Sequence, residues 1–282
     1  GIMLATTLVS AWVSNTATAA MMLPIALALM GVVRSVRSDQ PMDQAERNFG
    51  ICLLLSIAYG ASVGGVLTLI GTPPNGIFVR FVEQQYGDTV SFLDWLKISV
   101  PAMGLLFIAT YVLLVNVLYR NQPDELPGGK EWVVNELHGM GKLTRGEWIV
   151  LIVFVVAALL WTFGPVLRGM EIGGTKPFKP LSDTVIAMAA GIVLFIIPVD
   201  IKKGIHALDW SSASKGVAWD VLLLFGGGLT MAAAIQKTGA ADAVGAAAVA
   251  LGSLPEWGIL TGVTTLSVFV SEFTSNTALA AT

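Results

Sequence analysis

Long apolar runs separated by polar loops dominate the pattern of hydrophobic and polar positions in this chain. A helix that crosses a bilayer needs roughly 20 predominantly apolar residues. Five runs approach that length and predict membrane-spanning helices: residues 49–70, 98–119, 148–167, 184–199 and 221–235. The small residues of segment 240–254 predict a weakly amphipathic helix along the membrane interface. The pattern therefore predicts an all-α polytopic membrane protein.

Two further apolar runs are each interrupted near the middle by the same polar triplet, Ser-Asn-Thr. Residues 1–33 are broken at positions 14–16, and residues 257–282 are broken at positions 275–277. Each half of these runs is expected to be too short to cross a bilayer comfortably. Both runs are therefore predicted to fold as re-entrant helical hairpins.

A third break falls inside residues 49–86, where positions 71–75 read GTPPN. Proline removes a backbone donor and disfavours the helical conformation of the residue before it. The segment is therefore predicted to be a broken transmembrane helix, with freed carbonyls near Gly71 that can turn toward a cation. The preceding Gly64-Gly65 pair predicts a close approach of another helix.

The two interrupted runs are copies of one motif. Residues 10–21 read SAWVSNTATAAM, residues 271–282 read SEFTSNTALAAT, and seven of the twelve positions are identical. Five predicted spans lie between the copies if residues 49–86 count as one broken span. An odd number of crossings places the second copy on the opposite side of the membrane. The pattern therefore predicts an inverted repeat, which is typical of secondary transporters.

The Ser-Asn-Thr tips carry chemistry suited to small ions. Unpaired backbone groups cost several kcal/mol in hydrocarbon, so a break at membrane depth persists only beside protein or water. Ser, Asn and Thr favour helix N-caps, and the helix that follows presents N–H donors and a positive dipole end to anions. Their oxygens and the freed carbonyls suit Na⁺. The alternative, that each triplet only caps a kinked helix, is disfavoured by the second copy in a matching context.

Composition and charge narrow the class of protein further. Of 282 residues, 55% are hydrophobic and only 12% are charged, and the mean hydropathy is +0.75. An ordinary soluble domain has about 25% charged residues, so a soluble enzyme is excluded. The net charge of −3 argues against a nucleic-acid partner. Loops 34–48, 120–147 and 200–217 carry most of the Lys and Arg residues, which predicts that they face the cytoplasm.

An intramembrane enzyme is the alternative from a different functional class. Ser14 or Ser275 would need a base within hydrogen-bonding reach to act as a nucleophile. The same apolar segments contain no His, Lys or Asp, and Glu272 is the only carboxylate near either serine. Glu272 is a candidate for binding a proton or cation, although holding the hairpin backbone is the favoured interpretation. The sequence therefore predicts a protein that is not an enzyme.

Four motifs, in order, resemble one family. They lie between residues 10 and 278 and read, in chain order, SAWVSNTATAAMMLP, TLIGTPPN, LLLFGGGL and SEFTSNTA. This set resembles the motifs of the divalent anion/sodium symporter family. The resemblance implies a homodimeric secondary active transporter of the bacterial inner membrane. It implies transport of C4-dicarboxylates (succinate, malate, fumarate) with Na⁺ by an elevator-type alternating-access mechanism. A Na⁺-independent dicarboxylate exchanger and a sulfate or citrate carrier of the same family remain open.

The resemblance also implies which residues bind ions and substrate. The implied Na⁺ ligands lie at the two tips and in the broken helix: Ser10, Ser14, Asn15, the Gly71 carbonyl, Ser271, Thr274 and Asn276. The implied substrate-binding residues are the amide and hydroxyl donors of both triplets: Asn15, Thr16, Asn276 and Thr277. Each tip is thus expected to hold a cation beside a carboxylate.

The expected organisation follows the two repeats. Residues 1–119 are first-repeat transport elements, namely hairpin 1–33, broken helix 49–86 and helix 98–119. Residues 120–147 are a cytoplasmic linker, residues 148–254 are scaffold helices of the second repeat, and residues 255–282 are a truncated second hairpin. Both ends fall inside apolar runs, so the chain is expected to be an internal fragment of a longer protein.

Overall fold

A computed structural model gives the architecture of the chain. It describes residues 1–36, 42–120, 134, 138–139, 141–217, 219, 222–223, 226–227, 230, 234, 237–239, 255–272 and 280. The helices of this part are α1 (Ile2–Ser10), α2 (Asn15–Val36), α3 (Gln44–Leu67), α4 (Pro73–Tyr86), α5 (Phe92–Val112), α6 (Arg145–Gly169), α7 (Asp183–Ile196), α8 (Trp210–Gly216) and α9 (Glu256–Ser271). A π-helical segment, Leu113–Leu118, continues α5. Strands β1 (Pro198–Asp200) and β2 (Ile205–His206) form a small antiparallel pair.

Four helices are long and apolar enough to cross a membrane: Asn15–Arg34, Gln44–Leu67, Phe92–Leu118 and Arg145–Gly169. The last three confirm predicted spans, but each helix begins several residues before its apolar run. Asp43, Ser91 and Thr144 explain these earlier starts, because each side chain accepts a hydrogen bond from the backbone N–H three residues later. The prediction of an all-α polytopic membrane protein is confirmed.

Two elements differ from the expected lengths. The helix that follows the first triplet, α2, is 22 residues long and continues through Pro24, so the expectation that both halves are too short to span is wrong for this half. Helix α7 ends after 14 residues, where Pro198 starts β1 instead of continuing a helix to residue 199.

Several predicted elements fall on residues that the structure does not describe. The interfacial helix over 240–254 lies outside the described residues, as do most residues of the predicted span 221–235 and of the linker 120–147. The inverted repeat, the hairpin topology and the domain boundaries stay predictions.

The chain divides into two compact units, which are considered separately. The first consists of Gly1–Thr72 and Val90–Trp210, and the second of Pro73–Thr89 and Ser211–Thr282. The first unit contains two apolar clusters. One joins α2 to α3 through Met22, Ala26, Leu53 and Ile57. The other joins α5, α6 and α7 through Phe92, Ala157, Trp161 and Ile186.

A polar junction reinforces the second cluster. Asp183, the first residue of α7, accepts hydrogen bonds through its carboxylate from the Phe92 backbone N–H and from the Arg168 guanidinium, both at 3.2 Å. The carbonyl oxygen of Asp183 accepts a third bond, from the indole N–H of Trp161, at 3.0 Å. Because these bonds join α5, α6 and α7, the cluster is a fixed support for the elements packed against it.

Candidate functional site

The first polar triplet lies where the sequence predicts a break. Helix α1 ends at Ser10, and α2 begins at Asn15. Within the break, Trp12 and Val13 donate their backbone N–H groups to the Val9 carbonyl. The Ser14 hydroxyl accepts from the Ala17 N–H at 3.4 Å, which is the bond of an N-cap. The predicted end of one helix and start of another at this triplet is confirmed.

The second break is also confirmed. Helix α3 ends at Leu67, and α4 begins at Pro73. Proline is favoured at the first position of a helix, where its missing N–H is not needed. Within this break, the Gly71 N–H donates to the Thr68 carbonyl at 3.3 Å.

Glycines of α3 allow the first tip to lie directly against this helix. A Cβ atom on Gly64 would lie 2.3 Å from the Thr7 carbonyl oxygen, and one on Gly65 would lie 2.1 Å from Asn15 Oδ1. Both distances are shorter than an ordinary carbon–oxygen contact. A side chain at Gly64 would force the backbone of α1 to move, whereas a side chain at Gly65 would displace the Asn15 amide. The predicted close helix approach at Gly64-Gly65 is confirmed.

Ser10 links the tip to α3. It is 0% exposed, and its hydroxyl oxygen lies 2.7 Å from the Ala61 carbonyl oxygen and 3.0 Å from Asn15 Oδ1. The hydroxyl has one proton, so it donates to one of these two acceptors at a time. Its lone pairs remain available to a third partner.

The two breaks meet at this point. A Cβ atom on Gly71 would lie 2.6 Å from the Gly65 carbonyl oxygen and 3.0 Å from the Ser10 carbonyl oxygen. Hydroxyl, amide and carbonyl oxygens from α1, α2 and the end of α3 therefore lie within a few ångströms of one another. We call the residues Ser10, Asn15, Gly65 and Gly71 the oxygen cluster.

The chemistry of the oxygen cluster fits Na⁺. Its donors are neutral oxygens, whereas protein sites for Ca²⁺ usually add carboxylates. Among the described residues, no group of three or more His, Cys, Asp or Glu side chains is placed to hold a metal ion. Asn15 is half-buried at the first turn of α2, and Thr16 beside it is exposed. A positive helix end thus adjoins a set of cation ligands.

Two side chains of α5 hold the end of α3 beside the oxygen cluster. The Trp95 indole N–H donates to the Val66 carbonyl at 3.0 Å, and the Ser99 hydroxyl donates to the Leu67 carbonyl at 2.6 Å. The Thr68 hydroxyl adds a bond to the Ala11 carbonyl in the other break. Sequence reasoning missed Trp95 and Ser99. Their spacing of four residues, which puts two polar donors on one face of an apolar helix, was the available signal.

Aromatic rings also support the first tip. The Trp12 ring stacks on Phe92, with centroids 6.1 Å apart, and meets the ring of Phe154 edge to face at 5.1 Å. Phe92 in turn stacks on Trp161 at 5.7 Å. Leu69 of the second break also packs against this cluster. One apolar support therefore holds both breaks.

The structure thus brings together three of the predicted first-site residues: Ser10, Asn15 and Gly71. Ser14 is exposed, its hydroxyl caps α2, and it directly precedes Asn15 of the oxygen cluster. Thr16 is exposed at the start of α2.

The second tip is described only at its beginning. Ser271 is the last residue of α9, and its hydroxyl donates to the Val268 carbonyl at 2.7 Å. Glu272 follows in a right-handed helical conformation and is exposed. Thr274, Asn276 and Thr277 lie outside the described residues.

Comparisons with known proteins identify the family. A family profile described as the sodium:sulfate symporter transmembrane region matches residues 1–282. A protein named sodium-dependent dicarboxylate transporter SdcS from Staphylococcus saprophyticus is 33% identical over 281 residues, and its namesake from Staphylococcus aureus strain NCTC 8325 is 35% identical. Each alignment covers 99% of this chain and 53% of the relative, so the chain spans about half the length of these relatives. The chain belongs to the sodium:sulfate symporter family.

Proposed function

We propose that the protein is a secondary active transporter of the bacterial plasma membrane that moves C4-dicarboxylates such as succinate, malate and fumarate together with Na⁺. The observation that carries this proposal is the oxygen cluster, in which the Ser10 hydroxyl lies 3.0 Å from Asn15 Oδ1 between two broken helices. The names of the staphylococcal relatives support both the coupled ion and the class of substrate. Membership in a symporter family supports transport rather than enzymatic activity.

In this proposal Na⁺ binds between the two breaks. The Ser10 hydroxyl, the Asn15 amide oxygen and the Gly71 carbonyl supply its main ligands, while Ser14 stands at the edge of the set. The first turn of α2 then offers N–H groups, the Asn15 amide and the Thr16 hydroxyl to a substrate carboxylate. Neutral donors alone hold a dianion weakly, so the adjacent Na⁺ strengthens substrate binding. That dependence couples the two solutes.

The second copy of the motif supplies an equivalent set of groups. Ser271, Thr274 and Asn276 are proposed as ligands of a second Na⁺, and Asn276 and Thr277 as substrate donors. The seven shared positions of the two copies support this assignment. Residues 1–119 then act as transport elements and residues 148–254 as scaffold, in a homodimer that works by an elevator-type motion.

A sulfate carrier is the second candidate, because the matching family is described by sodium:sulfate symport. Sulfate and dicarboxylates are both divalent oxyanions that neutral N–H and hydroxyl donors can hold. The names of the two relatives favour dicarboxylates, and the family description favours sulfate. A direct comparison of the two solutes distinguishes these candidates.

The test is uptake by the full-length protein in liposomes. Labelled succinate and labelled sulfate are supplied in parallel, with an inward Na⁺ gradient or with K⁺ in its place. We expect Na⁺-dependent succinate uptake that is lost in Asn15→Ala. The matched control is Asn116→Ala, which removes an exposed amide from the π-helical segment.

Each other outcome has a defined meaning. Succinate uptake that is independent of Na⁺ and requires internal dicarboxylate would identify an exchanger and overturn the Na⁺ assignment. Na⁺-dependent uptake of sulfate without succinate would favour the second candidate. An equal loss of succinate uptake in Asn15→Ala and Asn116→Ala would contradict a specific role of the oxygen cluster in transport.

A further inference from the structure

The end of α3 is held by a neighbouring helix. A helix leaves its last four carbonyl groups without an intrahelical donor. In α3, two of these carbonyls, those of Val66 and Leu67, accept hydrogen bonds from Trp95 and Ser99 of α5 at 3.0 and 2.6 Å. Ser99 is only 6% exposed, so its hydroxyl has little access to solvent.

The two donors belong to a well-anchored helix. Trp95 and Ser99 are four residues apart and therefore lie on one face of α5. Ser91 caps the start of α5, and the Phe92 backbone N–H bonds to the carboxylate of Asp183. The helix that carries the two donors is thus anchored to α7 independently of its contacts with α3.

The carbonyls that they hold are directly next to the oxygen cluster. Gly65 precedes Val66, and a Cβ atom on Gly65 would lie 2.1 Å from Asn15 Oδ1. Gly71 lies against the Gly65 carbonyl on the other side of the break. A movement of the last turn of α3 by a few tenths of an ångström therefore changes the distances between the oxygens of the cluster.

We propose that Trp95 and Ser99 are positioning residues for the oxygen cluster. By holding the Val66 and Leu67 carbonyls they fix the place of Gly65 and Gly71, and so set the affinity of the cluster for Na⁺ without touching the ion. This inference rests on the proposed function, because it assigns a role in binding the coupled ion.

The experiment measures the Na⁺ concentration that gives half-maximal succinate uptake by the full-length protein in liposomes. Ser99→Ala removes one hydroxyl donor, and Trp95→Phe removes the indole N–H while keeping an aromatic ring. Loss of one such hydrogen bond is expected to raise the half-saturating Na⁺ concentration by about two- to tenfold. When both are measured at saturating Na⁺, the maximal rate and the half-saturating succinate concentration are expected to stay near those of the unmodified protein. Ser99→Thr keeps a hydroxyl, so its half-saturating Na⁺ concentration is expected to stay near that of the unmodified protein.

Matched controls remove the same groups elsewhere in the described chain. Ser62→Ala deletes an exposed hydroxyl of α3 that donates within its own helix, to the Ala58 carbonyl at 3.1 Å. Trp148→Phe deletes the indole N–H of an exposed tryptophan in α6. Neither control is expected to shift the half-saturating Na⁺ concentration. Na⁺-dependent stabilisation against heat, measured in detergent, gives a second readout that does not require transport.

The outcomes separate this inference from the proposed function. If uptake by the unmodified protein does not require Na⁺, the proposed function fails and this inference fails with it. If uptake requires Na⁺ but Ser99→Ala and Trp95→Phe behave like the two controls, this inference alone is overturned. A lower maximal rate with an unchanged half-saturating Na⁺ concentration would also overturn it, since that is the signature of a merely structural role. If Ser99→Ala does not fold, Trp95→Phe and Ser99→Thr decide the question.

Discussion

The two copies of the motif begin in the same way and then differ in their surroundings. Helix α1 ends at Ser10 and helix α9 ends at Ser271, which are equivalent positions of the repeat. The residues that follow, Ala11 and Glu272, adopt nearly the same backbone conformation, with φ of −61° and −70°. The local sequence thus determines where each helix stops.

The serines themselves have different partners. Ser10 is fully buried and lies 2.7 Å from the Ala61 carbonyl of another helix, whereas Ser271 is half-buried and bonds to Val268 of its own helix. In the first copy, glycines of α3 allow the tip to lie directly against this helix. The Ser-Asn-Thr motif therefore supplies the proposed ligands of the first copy, and the glycines of α3 allow these groups to lie close together.

The largest expected effect follows from filling the glycine face of α3. A Cβ atom at Gly64 would lie 2.3 Å from the Thr7 carbonyl oxygen. One at Gly262 in α9 would meet nothing within 4 Å beyond its own stretch of helix, as far as the described residues show. We expect Gly64→Ala to lower the free energy of unfolding by about 3 kcal/mol, since backbone atoms must move apart. Gly262→Ala should instead raise it by about 0.5 kcal/mol, because alanine favours the helix. Thermal unfolding of the full-length protein in detergent checks both values. Similar melting temperatures for the two variants would contradict the asymmetry.

The second prediction concerns the aromatic support of the first tip. Trp12 stacks on Phe92 and meets Phe154, so Trp12→Ala leaves a cavity beside the break. We expect the free energy of unfolding to fall by about 2 to 3 kcal/mol. This is less than the usual effect of truncating a fully buried tryptophan, because Trp12 is half-buried. Trp12→Phe keeps a ring and should lose less than half of that. Unfolding in detergent measures the stability, and a loss as large in Trp12→Phe as in Trp12→Ala would argue against ring stacking as the cause.

The breaks could be predicted from sequence because their causes are local. Pro73 disfavours the helical conformation of the residue before it and suits the first position of a new helix, and a Ser-Asn-Thr triplet favours a helix start. The supports of the breaks could not be predicted in the same way. Trp95 bonds to a carbonyl 29 positions away, and Asp183 accepts from the backbone of Phe92, 91 positions away. Such contacts depend on which helices pack together, and hydrophobic periodicity does not specify that.

The length of α2 shows a second limit of local reasoning. The triplet indicated where this helix begins, but neither Pro24 nor the small residues around it indicated where the helix ends. The helix continues to Val36 and includes Pro24, although proline is usually avoided in the interior of a helix. Contacts of Met22 and Ala26 with α3 stabilise this stretch on both sides of the proline. Packing against α3 therefore stabilises the full length of α2, which the composition of this segment alone left ambiguous.

A third prediction compares the two equivalent serines directly. Ser10→Ala leaves the buried Ala61 carbonyl without its hydroxyl donor. This change is expected to lower the free energy of unfolding by about 1 to 2 kcal/mol. Ser271→Ala removes a bond within its own helix, the one contact of this hydroxyl seen among the described residues, and should lower the free energy of unfolding by no more than about 0.5 kcal/mol. Ser10→Ala should also raise the half-saturating Na⁺ concentration for uptake, since it removes a proposed ligand. Equal destabilisation by the two variants would show that the second serine is buried in a comparable setting in the full-length protein.

The smallest expected effect distinguishes a cap from a ligand within the first tip. Ser14 is exposed, and its hydroxyl accepts the Ala17 N–H at a long distance of 3.4 Å. Ser14→Ala should therefore cost about 0.5 kcal/mol of stability, at the low end for an N-cap. It should leave Na⁺-dependent uptake nearly unchanged, whereas Asn15→Ala is expected to abolish it. Ser14→Thr retains a capping hydroxyl and should recover the lost stability. If Ser14→Ala weakens the Na⁺ dependence as much as Asn15→Ala, the Ser14 hydroxyl turns from its capping position to the ion when Na⁺ binds.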